Sequence, residues 1–279
     1  MKNIVTIYPF YRDETLYSNT KSKWDYAKIL KNFQTSVSSF KNVKFIINTC
    51  EHTTFPDNEN FLCRRFNSRD MSLMTAIVES EADIVRKSFG KNIIFCGSDE
   101  MFIQNPSNLF DKYDFDILIG YDGVSRIMNG IVCVRSNAET IEFFDNRVRE
   151  FHKLSSELKN WGGDMHSYGQ AFARESRLFS TLNLLSFPSR ASGKTNVVQS
   201  LAYVLAKRLK ILDNIGNVGR LKVKFFYWGN EIAKSVNATD EDLIKQARIA
   251  SNKGFHLLDF KGNRKSLIGD NSDTVHRFE

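Results

Sequence analysis

The sequence predicts an α/β fold: a mixed, mostly parallel sheet flanked by helices, with a basic helical elaboration in the second half. Three observations carry this. The first hundred residues alternate strand-like and helix-like segments, the order of a parallel sheet whose crossovers are helices. Hydrophobic residues make up 42% and charged residues 25% of the 279, which excludes a disordered chain, collagen or a coiled coil as the main description. Basic residues are concentrated after the middle of the chain, in and around one amphipathic segment.

In order, Asn3–Tyr8 alternates and is β-branched, so it reads as a strand, broken at Tyr8-Pro9-Phe10-Tyr11-Arg12. Ser22, with Asp25 three residues later, caps a helix to about Phe40 whose apolar face is Tyr26, Ile29, Leu30, Phe33 and Val37. Val43–Thr49 is a second buried strand. Ser68 or Asp70 caps a long helix that reaches about Phe89 and ends at Gly90, and Asn92–Cys96 is a short apolar strand. Phe115–Gly120 and Ile127–Arg135 read as strands. Ala138–Leu154 reads as a helix with Ile141, Phe144, Val148 and Phe151 inward. A helix from Asp164 to about Leu178 follows, then a basic amphipathic helix, Val197–Leu212. A strand at Lys222–Trp228, a helix at Asp240–Asn252 and a last strand at Phe255–Phe260 complete the chain. There is no repeat, low-complexity tract or clear linker, so residues 1–279 read as a single domain.

Met1–Ile7 runs straight into strand-like sequence with no signal-peptide core, and no apolar run approaches a membrane span. Cys50, Cys63, Cys96 and Cys133 lack metal-binding spacing and the density of a disulfide scaffold, so we expect reduced, mostly buried thiols in a cytoplasmic protein. The five histidines show no zinc spacing. Ser192-Gly193-Lys194-Thr195 is like the end of a phosphate-binding loop, but Pro188 stands where its first glycine belongs, which excludes an ATPase of that type. The net charge is +7, and Ser176–Ser235 holds ten basic residues against Asp213 and Glu231, a local charge of +8. Such a field attracts polyanions; a solvated basic helix face is the plain alternative.

The most informative stretch is Ile93-Ile94-Phe95-Cys96-Gly97-Ser98-Asp99-Glu100-Met101-Phe102-Ile103-Gln104-Asn105-Pro106: an apolar strand, a small-residue turn with acids, an apolar pair, then Asn-Pro. Ligands of open α/β sheets sit at the carboxyl ends of strands, and a hard cation on a diphosphate needs carboxylates there. Three further segments follow in order: Met128-Asn129-Gly130-Ile131-Val132-Cys133-Val134-Arg135, Trp161-Gly162-Gly163-Asp164-Met165 and His256-Leu257-Leu258-Asp259-Phe260-Lys261-Gly262-Asn263-Arg264-Lys265.

Together these segments resemble the Asp-x-Asp signature and the later motifs of nucleotide-diphosphosugar glycosyltransferases with the GT-A fold. The resemblance spans residues 3 to 265 and departs from the pattern at Gly97, which stands in the place of the first aspartate. It implies a GT-A-like domain with a nucleotide-sugar half, 1–135, and an acceptor half, 136–279. It implies Mn²⁺ or Mg²⁺ held by Asp99 and Asp259, the latter in the place of the family's metal-binding histidine and able to offset the missing acid, whose contact Glu100 or another residue could also supply. Tyr8, Pro9, Ser98, Asp99, Asn129, Gly130, Gly262 and Lys265 would bind the nucleotide sugar, and Asp164 would act in catalysis.

 The donor would be UDP-linked. Lys194, Lys207, Arg208 and Lys210 would meet a phosphate-bearing acceptor, a hydroxymethylated base in DNA. A glycan or lipid-linked acceptor, and a non-catalytic nucleic-acid binder on a transferase fold, are the alternatives.

Overall fold

A computed structural model describes residues 4–12, 26–55, 61–67, 71–122, 126–159, 162–177, 179–181, 211–229, 232–235 and 243–260. The fold is a mixed α/β fold with a large, mostly parallel sheet flanked by helices. Its elements are β1 (Val5–Pro9), α1 (Tyr26–Ser38), β2 (Val43–Phe45), β3 (Ile47–Cys50), β4 (Cys63–Phe66), α2 (Leu73–Lys87), β5 (Asn92–Cys96), β6 (Glu100–Phe102) and α3 (Ser107–Lys112). They continue with β7 (Ile117–Asp122), β8 (Arg126–Arg135), α4 (Ala138–Lys153), α5 (Gly163–Glu175), β9 (Asn217–Val218), β10 (Leu221–Tyr227), β11 (Ala233–Ser235), α6 (Leu243–Asn252) and β12 (Leu257–Asp259). The seven-stranded sheet has the order β2-β1-β5-β8-β7-β10-β9, and β11-β12-β6 and β3-β4 form two smaller sheets. The chain forms two compact units, one of Met1–Met71, Ile94–Lys112 and Gly229–Glu279, the other of Ser72–Ile93 and Tyr113–Trp228.

In the first unit α1 buries Ile29, Leu30, Phe33 and Val37, the face expected from its spacing. Phe33 meets Phe45 edge-on at 5.2 Å and Phe102 at 5.9 Å. Burying each such side chain contributes about 1.5–3 kcal/mol. Ile29, Met101, Ala247, Ala250, Phe255, Leu258 and Phe260 form one core cluster, which fixes β6 beside β12. The single strand expected over Val43–Thr49 is two, parted at Ile46, whose N–H still donates to Ile7 O of β1 at 3.0 Å. Pro9 closes β1 rather than breaking it, a position where a missing N–H costs little.

In the second unit α2 starts at Leu73. Its cap is Ser72, whose side chain accepts from Thr75 N at 3.2 Å, and the expected caps Ser68 and Asp70 lie outside the described residues. Asn137 and Thr140 exchange cap hydrogen bonds at the start of α4, each 2.9 Å. The face α4 buries is Phe143, Phe144, Arg147 and Phe151; Ile141 and Val148 lie at its margin. The buried face includes a charged residue, Arg147, which pairs with the buried Glu81. Of the expected helix Val197–Leu212, only the last two residues are described, in a 3₁₀ turn at Ile211–Asn214. All four cysteines are free thiols; Cys50, Cys96 and Cys133 are buried and Cys63 is half-buried. No helix among the described residues is long and apolar enough to cross a membrane.

Candidate functional site

The acidic loop grows out of β5. The strand is buried throughout because Asn92–Cys96 is almost wholly apolar, and its carboxyl end opens into Gly97-Ser98-Asp99. β6 then runs antiparallel to β12 with Glu100 paired to Asp259, and Phe260 N donates to Asp99 O at 3.1 Å. Directly opposed residues of an antiparallel pair share a face. Glu100 and Asp259 are therefore neighbours, and both are buried, while Ser98 and Asp99 are half-buried. Ser235 Oγ donates to Asp259 Oδ2 at 3.3 Å. A side chain at Gly97 would place its Cβ 2.7 Å from Asp99 Oδ1 and 3.6 Å from Glu100 Oε1, so both acids lean over the glycine. The space an aspartate at 97 would need is already taken by the carboxylate of Asp99.

The carboxyl end of β1 lies beside this loop in the same unit. Phe10 N donates to Cys96 O at 3.4 Å, Tyr8 is half-buried with its ring 6.3 Å from that of Phe95, and Pro9 is buried. Nearby, Tyr11 meets Phe55 at 5.5 Å and Phe55 meets Phe61 at 5.0 Å.

In the second unit, the β7–β8 ladder shifts register between Ile119 and Gly120: Ile119 faces Val132, but Gly120 faces Met128. Asn129, Gly130 and Ile131 therefore stand in a bulge without partners in β7, a device that re-aims side chains. The turn into α5 needs both its glycines. Gly162 has φ 89°, a region that favours glycine, and a Cβ on Gly163 would come within 2.6 Å of Leu158 O. This turn presents Asp164 in the first turn of α5, and Asn129 Nδ2 donates to Asp164 Oδ2 at 2.5 Å. Asp164 is thus not the cap residue of its helix; that position is Gly162. Asn129 and Asp164, singled out from two separate segments, are joined side chain to side chain.

Behind Asp164 lies a polar network that sequence reasoning missed. Arg147, fully buried, forms an ion pair with Glu81, donates from Nε to Ser167 Oγ at 2.9 Å and from Nη2 to Asp164 O at 3.5 Å, and lies 3.7 Å over the Tyr168 ring. Tyr168 OH donates to Glu81 at 3.2 Å, and Ser167 OH donates to Asp164 O at 2.6 Å. Burial works against the charge on Arg147, but Tyr168, Glu81 and Asp164 outweigh it and hold the guanidinium charged. Burial pushes the Tyr168 hydroxyl well above its ordinary range. His166, beside Asp164, is pushed down by burial and by Arg126, against the pull of Asp164. The available signal was an arginine between Phe144 and Phe151 and a glutamate between Val78 and Val85, charges on otherwise apolar helix faces.

The family model for nucleotide-diphospho-sugar transferases matches residues 43–204, more than half of the chain. The chain belongs to the nucleotide-diphospho-sugar transferase family. This transferase is a glycosyltransferase, and its family implies a nucleotide-sugar donor. Among curated proteins, none matches its sequence. Among solved structures, it resembles the bifunctional glycosyltransferase WbbM with a TM-score of 0.51 and 11% identity, over 100% of this chain and 52% of WbbM. A glycosyltransferase involved in glycosylation of the major capsid of PBCV-1 matches with a TM-score of 0.43 and 9% identity, over 97% of this chain and 99% of that one.

Of the residues singled out in the transferase sequence, Tyr8, Pro9, Ser98, Asp99 and Asp259 lie in the first unit and Asn129, Gly130 and Asp164 in the second. Gly262, Lys265, Lys194, Lys207, Arg208 and Lys210 lie outside the described residues. No group of three His, Cys, Asp or Glu side chains able to hold a metal is present among the described residues.

Proposed function

We propose that the protein transfers a sugar from a UDP-linked donor with Mn²⁺ or Mg²⁺ as cofactor, and that Asp99, Glu100 and Asp259 are the carboxylates that serve the cation. The observation that carries this is the β6–β12 register, which sets two buried carboxylates side by side at the end of the acidic loop. Like charges so placed favour a shared cation or a proton between them. The paired Glu100 and Asp259 suit a magnesium-type ion, which takes one or two protein carboxylates and completes its shell with phosphate oxygens and water. Bound there, such an ion would neutralise charge developing on the leaving diphosphate. Tyr8 and Pro9 would border the base, and Ser98 the diphosphate. Asn129, Gly130 and Asp164 would meet the sugar or the acceptor. Gly262 and Lys265 would complete the diphosphate site.

The acceptor this reading favours is DNA carrying a hydroxylated base, supported by the +8 segment that contains Lys194, Lys207, Arg208 and Lys210. Part of that charge is already paired on the surface: Arg220 with Glu142, and Lys222 with Asp114. The test is release of nucleotide diphosphate from a panel of UDP-sugars with Mn²⁺, Mg²⁺ or EDTA, in the wild type and in Asp99→Asn and Asp259→Asn. Turnover that needs metal and falls in both variants is expected. Full activity of both variants in EDTA would remove the metal assignment, and transfer to oligosaccharides but not to hydroxymethylated DNA would remove the acceptor.

A further inference from the structure

We propose that Arg147 is a positioning residue for Asp164: its buried guanidinium, gripped by Glu81 and Tyr168, fixes the first turn of α5 so that the Asp164 carboxylate meets Asn129. This rests on the reading that Asp164 acts in transfer. A fully buried charge is a poor way to add stability, since taking an ion out of water costs several kcal/mol and an apolar side chain of similar volume often serves as well. The contacts show what the charge is used for. Of its three hydrogen-bonding partners, two, Ser167 and the Asp164 carbonyl, belong to the first five residues of α5. The third, Glu81 of α2, is itself held by Tyr168 of α5. The planar guanidinium spans these partners at once, which no point charge does. The same carbonyl also accepts from Ser167, so the Asp164 backbone is held from two sides while its side chain reaches Asn129 at 2.5 Å. Glu81, Arg147, Tyr168 and Asp164 all belong to one compact unit.

The test uses the full chain with Arg147→Lys and Tyr168→Phe. Lysine keeps a charge for Glu81 but cannot reach Ser167 and Asp164 together; phenylalanine keeps the ring and loses only the hydroxyl. Two quantities are read: the side-chain amide resonance of Asn129 in a ¹H–¹⁵N spectrum, assigned with Asn129→Asp, and kcat and KM for the UDP-sugar that turns over fastest. In folded variants we expect the Asn129 amide to move toward its position in Asp164→Asn, and kcat to fall about tenfold with KM within about twofold, as for a small misplacement of a reacting group. In an Asp164→Asn background the effect of Arg147→Lys on kcat should vanish, because the two act through one group. A native melt with an unchanged Asn129 amide in both variants would overturn the proposal and leave the network as packing. If Arg147→Lys does not fold, Tyr168→Phe decides by the same readouts. If Asp164→Asn keeps full kcat, the role of Asp164 in transfer fails, while the amide shift still decides whether Arg147 positions it.

Discussion

His256 makes the stability of the first unit depend on pH in a way that one substitution isolates. The residue enters β12 three positions before Asp259, with its N–H on Ile232 O at 2.8 Å and its carbonyl accepting from Ile103 N at 2.9 Å. Burial, with Lys112 nearby, pushes its imidazole from the ordinary 6.5 down to about 4, against a hydrogen bond to the backbone at Asn105. The folded state therefore keeps the ring neutral, while the unfolded chain takes a proton below pH 6.5. The stabilisation is fully present above pH 6.5 and is lost as pH falls toward 4. The fall from 6.5 to about 4 corresponds to at most about 3.5 kcal/mol, at about 1.4 kcal/mol per pH unit. The assay is urea unfolding of the wild type and His256→Gln at pH 7.5 and pH 4.5, followed by circular dichroism. Gln removes the titration, so the wild type should lose about 2 kcal/mol more than the variant across this interval. An equal loss in both proteins would refute the reasoning and place the ring in contact with water.

Gly97→Ala should fold normally, because the atom it meets is the end of a flexible side chain, yet it should displace the Asp99 carboxylate and lower donor turnover about tenfold; unchanged turnover would show that Asp99 is free to move without effect. Asp164→Asn should lower kcat by at least about tenfold with UDP affinity near that of the wild type, checked by steady-state kinetics and calorimetry. Replacing Lys207, Arg208 and Lys210 by Gln should flatten the salt dependence of duplex DNA binding, at about 0.9 in log K per lost phosphate contact, and leave donor binding unchanged. Salt-independent, negligible DNA binding by the wild type would assign those residues to a solvated helix face.

Elements with one strong local signal were legible in the sequence. β5 has the bounds expected for it, because a short apolar run between Gly90 and Gly97 leaves little freedom in where it starts and stops. The apolar face of α1 follows directly from its 3.6-residue spacing. β4 was missed: Cys63-Arg64-Arg65-Phe66 has no apolar alternation, and it is a strand because Arg64 bonds Asn48 Oδ1 at 2.9 Å and Arg65 binds the carbonyls of Cys50, Glu51 and Thr53. Those are tertiary contacts to β3 and to the turn that follows it, which local spacing does not report. The same holds at the site. Asn129 and Asp164 were each legible as motif residues, but their hydrogen bond depends on a bulge and a glycine turn that only the folded chain brings together. Arg147 and Glu81 were hidden because a charge on an apolar helix face acquires its meaning from the partner on another helix.

The departure at Gly97 bears on how such motifs are read. A carboxylate added at 97 would overlap Asp99 Oδ1, so within this backbone the first and third positions of the loop cannot both carry an acid without moving one of them. The antiparallel register supplies an acid from elsewhere: Glu100 follows Asp99 directly and faces Asp259 on β12. What a cation on a diphosphate requires is a small number of carboxylate oxygens at the end of a buried strand, and the chemistry does not depend on whether they come from one loop or from two paired strands. On the proposed reading, the loss of one acid from the loop and the presence of an aspartate on the facing strand are a single exchange. The hydrophobic cluster of Met101, Leu258 and Phe260 holds that register, so the packing of β6 on β12 is what sets the two carboxylates side by side.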